Sequence, residues 1–446
     1  MDAHRASILQ PNQEGTDLEM IDDGLIVVAE NGTIDHAGSV EEVKGQWQAN
    51  WGRPMTLLGG REQLVIMPTT VDTHDHSSQP LGIPGELIMD NGDGEFSGWL
   101  PDTLRQGELR AKGDPALAYQ IALSKLHEFR RNGIGMVLEY TTSSVEVALA
   151  TVMAAQKVGI RVRAGYVAMD QKIDNIAPGL QTTGDEAVRA TREFLEKAGR
   201  HGVVIDRFPI AVSSETRRRL AELAREFGVL YETHCAESVD EKDIHNGIYG
   251  TKSIVETLDR DGVFAPGGKV GLAHMIHLNK EEIDLLGLRI KQGCEISVRA
   301  CPNSNQQLGS HWDSGIYMPF PLRELEQAGA IVTLGTDQGA GRNSNIFREM
   351  LDERGRHEPG RAPSNVSLLK YGILNGYRSL GVGPEHLRMK PGVPAEFMIV
   401  RMAGAGGFYK VGDNYGDIES TAARVIEGGQ NPDNIQMMYV GGKRVK

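Results

Sequence analysis

Val71-Asp72-Thr73-His74-Asp75-His76 closes an apolar run that opens near residue 65. Side chains alternate along a strand, so His74 and His76 point the same way and both can reach one cation. An HxH pair alone sits as comfortably in a hydrogen-bonded core. The pattern gains weight because it recurs. Val229-Leu230-Tyr231-Glu232-Thr233 ends in His234, Val270-Gly271-Leu272-Ala273 ends in His274, and Ile331-Val332-Thr333-Leu334-Gly335-Thr336 ends in Asp337. Any one of these groups reads as a satisfied loop residue; five of them at the ends of apolar runs do not.

Working outward, strand-like runs are expected at 65–72, 135–140, 162–168, 203–210, 229–234, 270–274, 295–299 and 331–336, separated by amphipathic helical stretches such as 214–227 and 279–292. Serial βα units of this number predict an α/β fold, a (β/α)8 TIM barrel, in which functional groups gather at the C-terminal ends of the strands. The ends of the chain read differently. Leu25-Ile26-Val27-Val28-Ala29 runs into Glu30-Asn31-Gly32, a hairpin signal, and Glu396-Phe397-Met398-Ile399-Val400 and Met437-Met438-Tyr439-Val440 are strand-like too. These predict a small β-sandwich domain built from both termini, residues 1–66 and 392–446, around a barrel at 67–391.

The 446 residues are 40% hydrophobic and 24% charged, an ordinary globular composition with a net charge of −13. Phosphate contacts need a basic surface, so no nucleic-acid polymer is expected as partner. Arg217, Arg218 and Arg219 form the one basic triplet and read as a solvated helix face. The three cysteines, Cys235, Cys294 and Cys301, suggest no disulfide framework. Met1 to Gln13 lacks an apolar leader, and no run approaches the roughly twenty apolar residues of a membrane helix. A cytoplasmic protein acting on a small neutral molecule, away from membranes, is the expectation.

Imidazoles with a carboxylate suit a borderline cation such as zinc, and an open position beside them would hold a water made acidic by the metal. Glu237, three residues past His234, is placed to move protons to and from that water and a substrate ring; otherwise it is a first-turn glutamate favoured by a helix N-terminus. His277 competes with His274, which follows its strand more directly. His245 and His311 read as peripheral loop residues. Gln79 offers an amide donor and acceptor. Arg207-Phe208 offers a planar donor fork beside an aromatic face, or else an ion pair and barrel core. The segment 203–212 carries no lysine to bridge two metals, which argues for one.

These residues resemble the amidohydrolase superfamily, and within it the guanine deaminases, over nearly the whole chain. The similarity rests on Val71 to His76 with Gln79, Arg207-Phe208, Thr233-His234-Cys235-Ala236-Glu237, Ala273-His274, Cys301-Pro302-Asn303-Ser304-Asn305, Gly335-Thr336-Asp337 and the tail Asp433 to Lys443. The resemblance implies one divalent metal, Zn2+ with Fe2+ as the alternative, bound by His74, His76, His234 and Asp337. It implies that His274 hydrogen-bonds the attacking water, that Asp337 takes its proton, and that Glu237 protonates the ring nitrogen and then the leaving ammonia. Gln79, Arg207 and Phe208 would bind substrate, and a homodimer is implied. The implied reaction is hydrolytic deamination of a purine-like heterocycle, guanine to xanthine first. An oxidised purine, a pterin or an s-triazine is the alternative, as is loss of another leaving group from such a ring. A non-catalytic barrel relative would have lost ligands that are complete here. Three places depart from the pattern: Met67-Pro68-Thr69-Thr70 where Pro-Gly is usual, Ala300 where a histidine is usual, and Gln338 to Arg342 after the aspartate. They bear on the substrate rather than on the reaction class.

Overall fold

The structure, a computed structural model, describes residues 2–43, 45, 64–79, 100–172, 179–309, 320–358, 360–403 and 417–446. A parallel barrel carries the centre of the chain. One part is the ribbon β5 (Thr70–His76), β6 (Ile134–Tyr140) and β7 (Arg161–Gly165). The other runs in order through β8 (Val167–Ala168), β9 (Val204–Asp206), β10 (Tyr231–Cys235), β11 (Lys269–His274), β12 (Glu295–Ala300) and β13 (Ile331–Leu334). β7 and β8 continue one another across Tyr166, which makes an eight-stave barrel. The seam between β13 and β5 closes through Thr73 Oγ1, 2.9 Å from Thr333 Oγ1, and through the Asp337 N–H donated to the His74 carbonyl at 3.0 Å.

Helices cover the outer face because their sequences are written for it. Ser214–Phe227 starts with Ser213 accepting from the Thr216 N–H and stops at Gly228 in the left-handed conformation; Lys280–Lys291 opens with a capping box between Asn279 and Glu282. The apolar core lies between these helices and the strands. Inside the barrel, polar side chains replace it. Arg299 Nη2 pairs with Glu232 Oε1 at 2.5 Å, both fully buried, with the Tyr140 hydroxyl 3.5 Å from Glu232 Oε2. This pair forms the floor on which the strand-end histidines stand.

Both termini build one seven-stranded sheet. β1 (Asp2–Pro11), β2 (Leu18–Val28), β3 (Ile34–Ser39) and β4 (Leu64–Met67) come from the N-terminal part, and β14 (Phe397–Arg401), β15 (Ile435–Val440) and β16 (Lys443–Arg444) from the C-terminal part. The single strand expected at 65–72 is two strands in two sheets. β4 pairs with β1 and β14 and runs to Met67; Pro68, with no N–H to donate, interrupts the ladder, and β5 begins the barrel at Thr70. The hairpin at Asn31-Gly32 forms as expected, with Gly32 at φ 84°. No helix among the described residues is long and apolar enough to cross a membrane.

Candidate metal centre and active site

Parallel register brings the expected groups to one end of the barrel. His234 lies opposite Ala273 and Cys235 opposite His274 on β10 and β11, while His74 and His76 rise from β5. Ring centroids of His74 and His234 are 4.8 Å apart, those of His74 and His274 5.1 Å, and those of His76 and His234 5.1 Å. His76 Nε2 is 3.0 Å from His234 Nε2, and Asp337 Oδ1 is 3.5 Å from His76 Nε2 and 3.7 Å from His74 Nε2. Nitrogens each about 2.0–2.1 Å from a shared zinc ion lie roughly 3 Å apart, so these distances fit the edges of one coordination shell. His74, His76 and Asp337 form one ligand group within 4.8 Å, and His74, His234 and His274 another.

The chemistry of the donors fits as well. Both ring nitrogens of His74, Nδ1 of His76 and Nε2 of His274 are buried without a hydrogen-bond partner. A buried group left unmatched costs about 1–3 kcal/mol, a cost that a cation bound at His74 Nε2 would offset at that atom. Burial, reinforced by the neighbouring imidazoles, holds His74, His76 and His234 well below the usual histidine range. They are therefore neutral, with lone pairs free for a metal. Burial pushes Asp337 up, against the pull of His274 and Ser304; a cation beside it would favour its ionised form. His234 Nδ1 bonds the Arg207 carbonyl and fixes the ring so that Nε2 faces the centre.

Glu237 lies beside this group, with Oε2 3.4 Å from His274 Nε2. His274 Nδ1 is 2.9 Å from Asn305 Oδ1, which makes Nδ1 the protonated nitrogen and orients the ring. The loop holding Glu237 is tied down by Glu241, whose Oε2 accepts the Glu237 N–H at 2.9 Å and whose carboxyl burial pushes up to about 7. Ala236, His274, Met275 and Asp337 all take positive φ, 52°, 71°, 55° and 46°. Non-glycine residues in that region cost about 1–3 kcal/mol each and persist where function over-determines them. Here that strain turns the ends of β10, β11 and β13 toward the centre.

On the substrate side, Gln79 is buried with Oε1 unmatched. Phe208 is buried, its ring 6.2 Å from that of His234. Arg207, left open between a substrate contact and an ion pair, makes the ion pair: Nη1 donates to Glu108 Oε1 at 2.5 Å. Its guanidinium also lies 5.8 Å from the Phe208 ring centre. Glu108, fully buried on the turn Leu104–Glu108 and 4.0 Å from His76 Nδ1, is a residue that sequence reasoning missed. Asn305 was quoted only as part of a motif. Lys125, from the helix Pro115–Arg131, was missed too; it donates to the His76 carbonyl at 2.6 Å and contacts Asp75, whose Oδ1 accepts the Gln338 N–H at 2.8 Å.

Other expectations sort themselves. His277 belongs to none of the ligand groups among the described residues; its carbonyl accepts from Lys242. His245 bonds the Thr251 carbonyl, outside the cluster, and His311 lies outside the described residues. The basic triplet is corrected. Arg217 is fully buried, pairing with Asp206 at 3.0 Å and Asp261 at 2.5 Å, and only Arg218 and Arg219 face outward. It anchors the segment after β9 that carries Arg207.

Comparison with known proteins agrees with this geometry. The chain is 29% identical over 439 residues to a probable guanine deaminase of Deinococcus radiodurans, covering 95% of this chain and 93% of that one. Its fold is similar to that of Escherichia coli guanine deaminase, with a TM-score of 0.78 at 24% identity over 100% of this chain and 99% of the other. It is also similar to a zinc-complexed atrazine chlorohydrolase of Arthrobacter aurescens, with a TM-score of 0.74 at 18% identity over 100% and 95% of the chains. The profile of the amidohydrolase family matches residues 65–445, and with its strand-end histidines and aspartate in place the chain belongs to that family.

Proposed function

We propose that this protein is a metal-dependent hydrolytic deaminase of a purine-like amino-heterocycle, converting guanine to xanthine and ammonia. The observation that supports the reading is that His74, His76 and Asp337 form one possible ligand group and His74, His234 and His274 another, with His76 Nε2 3.0 Å from His234 Nε2, beside the Glu237–His274 contact of 3.4 Å. His74, His76, His234 and Asp337 would hold Zn2+, which when bound would supply Lewis acidity and lower the pKa of a bound water. The chain does the rest. Asp337 takes a proton from the attacking water, and His274, oriented by Asn305, hydrogen-bonds that water. Glu237 carries a proton to the ring nitrogen and then to the departing ammonia. Gln79 and Arg207 hold the ring by its polar edge with Phe208 packed nearby. The names of its relatives support guanine, and a buried guanidinium and carboxamide suit a purine carbonyl better than an alkylated triazine.

Ammonia release by zinc-loaded protein from guanine, oxidised purines, pterins and s-triazines tests this. Guanine should be the best substrate. A preference for another ring would change the substrate, and no release from any of them would overturn the deaminase reading. Elemental analysis of protein purified without chelator should give one divalent metal per chain. Two equivalents, or none with activity intact, would defeat the single-metal centre.

A further inference from the structure

Beyond the imidazoles, the end of the barrel holds further buried polar atoms without a partner: Gln79 Oε1, Glu108 Oε2, Arg207 Nε and Gln338 Oε1. Two of them belong to one ion pair. Glu108 and Arg207 are joined through Oε1 and Nη1, and the pair leaves one acceptor, Oε2, and one donor, Nε, buried and unmatched. Structural pairs leave unmatched atoms too, Arg299 Nε and the Asp206 and Asp261 Oδ1 atoms beside Arg217 among them; what sets Glu108 and Arg207 apart is their position, with Glu108 4.0 Å from His76 and Arg207 beside Phe208 and His234.

The local backbone is shaped to set Glu108 against the substrate side. A Cβ on Gly107 would lie 2.6 Å from the Ser78 carbonyl oxygen and 3.5 Å from Gln79 Cα. A Cβ on Gly339 would lie 2.7 Å from Gln79 Cβ. Two glycine backbones therefore clasp Gln79, and the turn that brings Gly107 there delivers Glu108 in the next position, 4.0 Å from the metal-facing His76. One acceptor and one donor offered together complement a lactam edge, in which a ring N–H adjoins a carbonyl.

We propose that Glu108 is a specificity-determining residue that accepts the ring N–H of a lactam while its partner Arg207 donates to the adjacent carbonyl. The site then takes amino-heterocycles presenting an –NH–C(=O)– edge and rejects those in which that nitrogen is alkylated or the carbonyl is missing. This rests on the deaminase reading above. Glu108→Gln isolates the effect. A carboxamide has a single acceptor oxygen; if Arg207 keeps it, the amide turns a donor toward the ring N–H.

Two measurements test the proposal. In turnover, zinc-loaded wild type should favour guanine over 1-methylguanine in kcat/KM by about a hundredfold or more, since a site with a dedicated hydrogen-bonding group strongly rejects analogues that leave it unpaired. In the folded fraction of Glu108→Gln the ratio should collapse, chiefly through a raised KM for guanine, with metal content close to wild type. In binding, calorimetry with xanthine and 1-methylxanthine reads the same edge without turnover. Tighter binding of xanthine with no ammonia from guanine would defeat the deaminase reading and leave the lactam reading standing. Equal affinities, or equal kcat/KM for the two guanines, would overturn the lactam reading in the wild-type protein alone, whether or not the variant folds. An unchanged ratio in folded Glu108→Gln would reduce Glu108 to a structural mate of Arg207.

Discussion

Glu237→Gln is expected to keep the metal and to lower kcat by about a hundredfold or more, the scale of a lost general acid–base group. The substitution preserves the shape of a buried side chain whose loop is already fixed. Its backbone N–H is held by Glu241, and the preceding Ala236 sits at φ 52°. What the amide removes is the ability to take a proton and give it back. Glu237 faces His274 Nε2 at 3.4 Å and also falls in a ligand group with His274 and Asp337, so a second role must be separated. Loss of metal in the variant would make Glu237 a ligand. Retained metal with near-normal turnover would make it a loop residue. Metal analysis and steady-state kinetics on one preparation distinguish the three outcomes.

The cluster of strand-end histidines and Asp337 was legible because strand geometry states their position. Short, nearly continuous apolar runs lead into His76, His234, His274 and Asp337, and a parallel barrel must bring those ends together. Where two sheets meet, the pattern blurs. Residues 65–72 are apolar in both the terminal sheet and the barrel, and only Pro68 marks the break. Arg217 was readable and was misread: the buried face of its helix includes Arg217, Leu220, Ala221 and Ala224, a spacing of three, four and seven that places the arginine on the apolar stripe. Its charge, taken with Arg218 and Arg219, outweighed its position. Glu108 left no such trace. It sits at the end of a π-helical turn, Leu104–Glu108, and its partner Arg207 lies 99 residues along the chain, so only the folded structure shows the pair. Asn305 lay in a quoted motif, yet its contact with His274 depends on how the segment after β12 folds back over β11.

Arg217→Met is expected to destabilise the protein by about 3–5 kcal/mol, the cost of removing one partner from a buried ion pair. Methionine fills much of the volume but cannot replace the charge. Asp206 would lose its paired cation and keep the Tyr231 hydroxyl, Asp261 would keep the longer contacts with Arg218 and Arg260, and the carbonyls of Pro209 and Val212 would each lose a donor. Burial pushes Asp206 up, and Arg217 opposes that shift. Without Arg217 that carboxyl would take up a proton or draw in water, and either loosens the segment leading from β9 into Arg207. Arg218→Ala is the control. Arg218 is on the exposed side of the same helix, 3.5 Å from the other oxygen of Asp261, and an exposed partner of this kind contributes about 0–1 kcal/mol. Melting temperatures of the two variants at one scan rate should therefore diverge, with Arg217→Met far below wild type and Arg218→Ala close to it. Equal, small effects would return Arg217 to the solvated face that its neighbours occupy. A large loss confined to Arg217→Met would show that the segment presenting Arg207 is held from behind by a second buried arginine.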